Sequence, residues 1–216
     1  MTRKSRETSH QEIVEIAWAF ARREGFAALT MQSVGKEAGL TRQAIYWHFA
    51  TRTQLLLEVA DHNDRKMPDA SVMYEGLAQM PAVESLVAMM RAWLKSLPTE
   101  APLLLELYAE AQRDDGAMAA MQARMQGFAG VIEEVFLRRL EATGEIKPAL
   151  EIRAAAEYAL SLGTPSLWLH LTGFLGWSHE KFCDYTIDRI LEFLLTPDAL
   201  GAYRAREQAA PASSPE

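Results

Sequence analysis

Six side chains crowded between positions 41 and 48 carry hydrogen-bonding, charged or stacking groups: Thr41, Arg42, Gln43, Tyr46, Trp47 and His48. Arginine offers a fork of donors that fits the acceptor pair of guanine. A glutamine amide fits the donor and acceptor of adenine. Hydroxyl and imidazole groups, with a second guanidinium at Arg52, are of the kind that contacts phosphate, which positions a protein without carrying sequence information. On this reading Arg42 and Gln43 face base edges, while Thr41, Tyr46, His48 and Arg52 face the backbone. Trp47 either joins them or packs against the first helix. Catalytic chemistry finds no such concentration. His10, His48, His62, His170, His179 and the single Cys183 show no metal-ligand spacing. Glu133–Glu134 and Asp114–Asp115 are adjacent in sequence and so diverge around a helix. Neither a glycine-rich phosphate loop nor a nucleophile elbow is present. No catalytic residue, metal or cofactor is therefore expected.

The elements that must position these groups are helices. Ser9 and Glu12 form a capping box before the stripe Ile13, Ile16, Ala17, Phe20 and Ala21. Gly25 ends that helix. Thr30 caps a short one through Val34 and Ala38, stopped by Gly39 in the place where a left-handed residue is favoured. Thr41 opens another short helix, Arg42 to about Phe49, whose apolar side is Leu40, Ala44, Ile45 and Phe49. Thr51 and Gln54 cap a longer helix ending near Pro68. Further helices are expected at about 81–97, 101–113, 116–142, 149–174 and 178–195, the last capped by Ser178. The chain is thus all-α, with about nine helices. From about Arg204 the Ala-, Pro-, Ser- and Glu-rich tail has too little apolar surface to pack and is expected to be disordered.

The 216 residues carry a net charge of −7, which taken whole argues against a polyanionic partner. The charge is unevenly spread: residues 1–52 hold eight Lys/Arg against five Glu, leaving the remainder at −10. A basic head on an acidic body meets a polyanion through the head alone. The arm Thr2–Arg6 adds a candidate minor-groove contact. No run of about 18 uncharged apolar residues exists, so no membrane span is expected. The polar start lacks a signal-peptide core, and one cysteine forms no internal disulfide, so a cytoplasmic protein is expected.

The run Leu29-Thr30-Met31, Val34, Ala38-Gly39-Leu40-Thr41, Ile45-Tyr46-Trp47-His48-Phe49 and Arg52-Thr53-Gln54-Leu55-Leu56 resembles the DNA-binding domain of the TetR family of repressors. The shared frame is a small residue plus glycine in the turn, Tyr-x-His-Phe closing the recognition helix, and a basic residue opening the fourth helix. Arg52 stands where lysine is commoner, and Gly35 where alanine is. The resemblance covers about residues 9–65; beyond that only the helical layout is similar.

It implies a three-helix helix-turn-helix domain over 1–52, an effector-binding and dimerisation domain over 53–203, and a tail over 204–216. The DNA-contact set it implies is Thr30, Thr41, Arg42, Gln43, Tyr46, Trp47, His48 and Arg52, meeting a double-stranded operator. Met89, Met90, Trp93, Tyr108, Met121, Met125, Phe128 and Trp168 lie on helices that enclose an effector cavity in such proteins, and methionine adapts to varied apolar or aromatic ligands. The apolar surplus of the last helices, including Leu160, Gly163, Leu167, Ile187, Ile190, Leu191 and Leu194, is expected to form a homodimer interface. An activator on the same fold, or an all-α small-molecule-binding protein without DNA regulation, remains open.

Overall fold

The computed structural model describes residues 9–66 and 75–209. Among these, the regular elements are helices, and the one extended pairing is an antiparallel bridge between Ile146 and Leu195. No helix among them is long and apolar enough to cross a membrane. The chain divides into two compact units: the described parts of Met1–Ala70 with Glu100–Gln122, and of Ser71–Thr99 with Ala123–Glu216. Compactness therefore places residues 53–66 with the head instead of marking a boundary at residue 52.

In the first unit, α1 (His10–Glu24) starts on the expected capping box. The Ser9 hydroxyl accepts from Glu12 N–H at 3.2 Å, and the Glu12 carboxylate accepts from Ser9 N–H at 2.8 Å. Its buried stripe is Ile13, Val14, Ala17 and Ala21, with Ile16 and Phe20 only half-buried. A short 3-10 turn, Phe26–Ala28, leads to α2 (Met31–Ala38), then α3 (Arg42–His48) and α4 (Arg52–Lys66). The basic arm Thr2–Arg6 and Pro68 lie outside the described residues.

α5 runs unbroken as Ala82–Ala111, in place of the two helices expected at about 81–97 and 101–113, although Pro98 and Pro102 lie inside it. An interior proline costs about 3 kcal/mol. Leu94, Leu97, Leu103 and Leu107 are each at most 2% exposed, and burying each such side chain contributes about 1.5–3 kcal/mol. The buried stripe wins. At 149–174 the reverse happens: one long helix was expected, but α8 (Ile152–Leu162) stops at Gly163. Thr164 then caps α9 (Pro165–Leu169), with Pro165 in the first turn, where its missing N–H is no loss. Between these lie α6 (Asp115–Val131), a π-helical turn Ile132–Leu137, and α7 (Arg138–Ala142). A second π-helical turn, His170–Phe174, follows α9, and α10 (His179–Leu194) starts on Ser178, whose hydroxyl accepts from Lys181 N–H at 3.1 Å.

The tail is corrected in part. α11 spans Pro197–Ala209, so residues 204–209 are helical, and only 210–216 lie outside the described residues. Buried Tyr203 anchors it. Three of its charged side chains are held from neighbouring helices: Arg204 by Asp188 and Glu192, Arg206 by Glu84, and Glu207 by Arg91.

The second unit's core corrects the expected dimer interface. Ile187, Ile190, Leu191 and Leu194 are 0–5% exposed and lie in one cluster with Leu86, Met90, Leu94, Phe136, Leu140 and Phe182. A side chain already buried in its own chain has no surface left for a partner. Leu160 and Leu167 pack partly buried against the same cluster. Gly163 is also internal: a Cβ there would lie 2.2 Å from the Trp93 ring, so the glycine gives the indole its seat. Ile187, Ile190, Leu191, Leu194 and Gly163 thus face inward, while Leu160 and Leu167 keep part of their surface exposed.

Leu194→Ala should lower the unfolding free energy by about 2–5 kcal/mol, as truncations in close-packed cores do. Leu191→Glu should unfold this unit at every protein concentration, not merely separate subunits. Denaturant titration followed by circular dichroism measures both; a folded monomer of Leu191→Glu would contradict the placement.

Candidate nucleic-acid interface

α2 and α3 have eight and seven residues, too few to persist alone. Both are held at their ends. The Thr30 hydroxyl accepts from Ser33 N–H at 3.0 Å, and the Ser33 hydroxyl accepts from Thr30 N–H at 2.8 Å, a reciprocal cap with serine in the usual place of a carboxylate. Gly39 ends α2 at φ 67°, ψ 25°, a left-handed conformation that costs other residues roughly 1–2 kcal/mol. Leu40 N–H reaches back to Gly35 O at 2.8 Å, closing the turn. Thr41 then caps α3 through Ala44 N–H at 3.2 Å.

Gly35 matters for the spacing of the two helices. A Cβ there would stand 3.2 Å from Ile45 Cγ1 and 3.3 Å from Leu40 O, tighter than ordinary contact. The missing methyl lets α3 sit close on α2. Ile45 and Phe49, both fully buried, carry the inner side of α3. That burial fixes what faces outward. Thr41, Arg42, Gln43, Tyr46 and Trp47 are all exposed, Trp47 to 82%. Of the two readings of Trp47, packing against α1 is excluded. Arg42 lies along the helix, its guanidinium 5.4 Å from the Tyr46 ring centre and Nη2 3.3 Å from the phenol oxygen. Thr30 is exposed at the start of α2.

His48 and Arg52 do not fit the outward set so simply. His48 is half-buried, its ring 5.7 Å from that of His10. His10 in turn lies 4.6 Å from the Phe49 ring, with Nε2 2.5 Å from a Glu58 carboxylate oxygen. This bracing of α3 by α1 and α4 left no sequence signal, since the partners are 48 residues apart. Arg52 is turned inward, which corrects its expected presentation to phosphate. Its Nε donates to Leu29 O at 2.7 Å, and Nη2 to Phe26 O at 3.1 Å. The carboxylates of Glu106 and Glu110, at 2.8 and 2.5 Å, complete its shell. The two acids stand four apart on α5 amid leucines, and that i,i+4 pair was the available signal.

The eight residues named for an effector cavity are divided. Tyr108 and Met121 belong to the first unit; Met89, Met90, Trp93, Met125, Phe128 and Trp168 belong to the second. Met90 and Met121 are buried, Trp93 covers Gly163, and Phe128 is exposed beneath the Arg124 guanidinium. Trp168 donates from Nε1 to His179 Nδ1 at 3.1 Å. Cys183 Sγ lies 3.5 Å from His179 Nε2, yet burial, with the Asp184 charge adding to it, raises the thiol pKa. A thiol so held is a poor nucleophile. An open groove of about 630 Å³ in the second unit falls elsewhere, between Arg91, Lys181, Tyr185, Asp188, Tyr203 and Arg204.

The turn offers a direct check. Gly39→Val should destabilise the first unit by at least about 1 kcal/mol, because a β-branched residue resists the left-handed conformation. Thermal unfolding reads this; an unchanged midpoint would show that the turn tolerates another geometry.

Comparison with known proteins falls on the same segment. Residues 13–59 match the family model of bacterial regulatory proteins, tetR family. The HTH-type transcriptional regulator AcrR of Shigella flexneri is 25% identical over 123 residues, 56% of this chain and 57% of that protein. The matched segment thus spans just over half of that relative's length. A protein described as a transcriptional regulator from Saccharomonospora viridis, solved with choline, superposes with a TM-score of 0.69 at 19% identity, over 87% of this chain and 97% of that one. SmeT, the repressor of the SmeDEF multidrug efflux pump of Stenotrophomonas maltophilia, gives a TM-score of 0.60 at 18% identity over 97% of each chain, and a complex of SmeT with triclosan matches equally. The capped α2–Gly39–α3 frame thus carries a segment that matches the tetR family of bacterial regulatory proteins, and the fold along the chain is similar to that of these solved structures.

Proposed function

We propose that the chain is a transcriptional repressor that binds a double-stranded operator as a homodimer and is released by a small molecule. One observation carries the DNA-binding step. α3 buries Ile45 and Phe49 completely while Thr41, Arg42, Gln43, Tyr46 and Trp47 face solvent together. A short helix presenting its N-terminal polar residues is how a recognition helix enters the major groove. Arg42 and Gln43 have the donors and acceptors to read guanine and adenine. Thr30, Thr41, Tyr46 and Trp47 supply backbone contacts, and His48 adds a group at their edge.

For dimerisation the supporting surface is not the buried set. Tyr158, Phe174, Leu175 and Tyr185 are 48–74% exposed on and around α8 and α10. Large apolar side chains left exposed together mark an interaction face, and a second copy of the chain is its occupant in this reading. For the effector, the support is by likeness: two proteins of the same fold are described in complex with choline and with triclosan. Met89, Met125, Phe128 and Trp168 remain the proposed lining for an apolar or aromatic ligand. The protein acts in the cytoplasm, where an operator is reached.

Fluorescence anisotropy on duplex DNA from upstream of the chain's own gene tests the central step. Arg42→Ala should weaken binding by about 1–3 kcal/mol and relax preference at one base pair. Phe174→Glu with Leu175→Glu should yield folded monomers in sedimentation. Wild-type protein that binds its upstream duplex no better than random sequence, or an Arg42→Ala variant equal to wild type, would contradict the reading.

A further inference from the structure

Arg52 is where this chain departs most from a plain DNA-contact surface. Its guanidinium spends its donors on the carbonyls of Leu29 and Phe26 and on the carboxylates of Glu106 and Glu110. Glu110 is further held by the Thr53 hydroxyl at 3.2 Å. The three charged side chains are 18–28% exposed, so their attraction is screened less than that of a surface pair. Two carboxylates around one cation leave the cluster negative. A phosphate brought to Arg52 would meet that negative excess together with the guanidinium. The two carbonyls belong to the segment just before Thr30, the residue that caps α2. All the partners lie within the first compact unit.

We propose that Arg52 is a positioning residue and not a phosphate contact: it ties residues 106–110 of α5 to the Phe26–Leu29 segment and so fixes the start of α2, and with it the seat of α3. The chemistry suits the task. Bonds to an ionised partner are roughly twice as strong as neutral ones, and the planar fork spans carbonyls and carboxylates at once. A lysine, with one point charge, cannot hold both sides. Any displacement of α5 at Glu106 and Glu110 is then felt at the cap of α2. The last step, from α2 and α3 to DNA, rests on the proposed function; the tie itself does not.

Two measurements on the full chain separate the alternatives. The first is amide hydrogen exchange of residues 26–31 without DNA, with residues 13–21 of α1 as the internal reference. Arg52→Gln should speed exchange in 26–31 about tenfold, the loss expected of charge-assisted bonds, and leave 13–21 unchanged. Glu106→Gln with Glu110→Gln should do so several-fold, and Arg52→Lys should fall between wild type and Arg52→Gln. The second is salt-dependent binding to a random-sequence 30-base-pair duplex. The carboxamide variant and Arg52→Gln should both weaken binding and keep the wild-type salt slope. If instead the carboxamide variant binds more tightly and Arg52→Gln flattens the slope by about one unit, Arg52 is a phosphate contact and the proposal is overturned. Unchanged exchange in 26–31 overturns it as well. Should Arg52→Gln not fold, the carboxamide pair, which keeps the shape of both acids, decides alone. Wild-type protein that binds no duplex would defeat the proposed function, while the exchange measurement would still judge the tie.

Discussion

A helix of seven residues closes too few hydrogen bonds to offset the cost of nucleating it. α3 therefore exists only as far as its neighbours bury Ile45 and Phe49, and most of the head serves that burial. α2 packs against Ile45 where Gly35 allows the close approach, the His10 ring of α1 lies against Phe49, and the caps at Thr30, Thr41 and Gly39 satisfy end groups that so short a helix has no turns to spare for. The same constraint sets the chemistry of the outer face. With two anchors pointing in, Thr41, Arg42, Gln43, Tyr46 and Trp47 are left facing solvent, while His48 turns against His10. Reading groups and packing groups are thus not separate designs on one helix; each is the remainder of the other.

Charge refines this picture. The basic balance of residues 1–52 overstates what faces outward. Arg23 is paired with Glu24 and Glu37, and Arg52 is held by two acids of α5. What faces out on α3 itself is one guanidinium lying over a tyrosine, an amide, a hydroxyl and an indole. Such a face depends less on bulk attraction to phosphate than the sequence balance implies, and more on fit.

The local part of this arrangement was legible in the sequence because its causes are local. Ser9–Glu12, Thr30 before Val34, Gly39 and Ser178 each announce a helix end within four residues, and helical spacing identifies the buried stripe. What periodicity cannot say is against what a stripe is buried. Ile187, Ile190, Leu191 and Leu194 read equally well as a subunit interface or as a core, and only the packing of α10 against its own chain decides it. The cost of Pro98 and Pro102 in α5 is visible in the sequence, while the leucine burial that outweighs it is not. Thr164–Pro165 is a local helix-start signal, but it lies inside an apolar run whose spacing continues through it. Arg52 could be read as basic and placed at a helix start, but its partners sit 23 to 58 residues away in sequence.

The account stands on α3 reading the base edges of a DNA duplex, and selection from a pool of random-sequence duplexes tests that claim without knowledge of any operator. Successive rounds of capture by the full chain should enrich one sequence, arranged as two inverted half-sites about 10 base pairs apart or a related spacing. A pool that is retained but stays random in sequence would contradict base reading by α3.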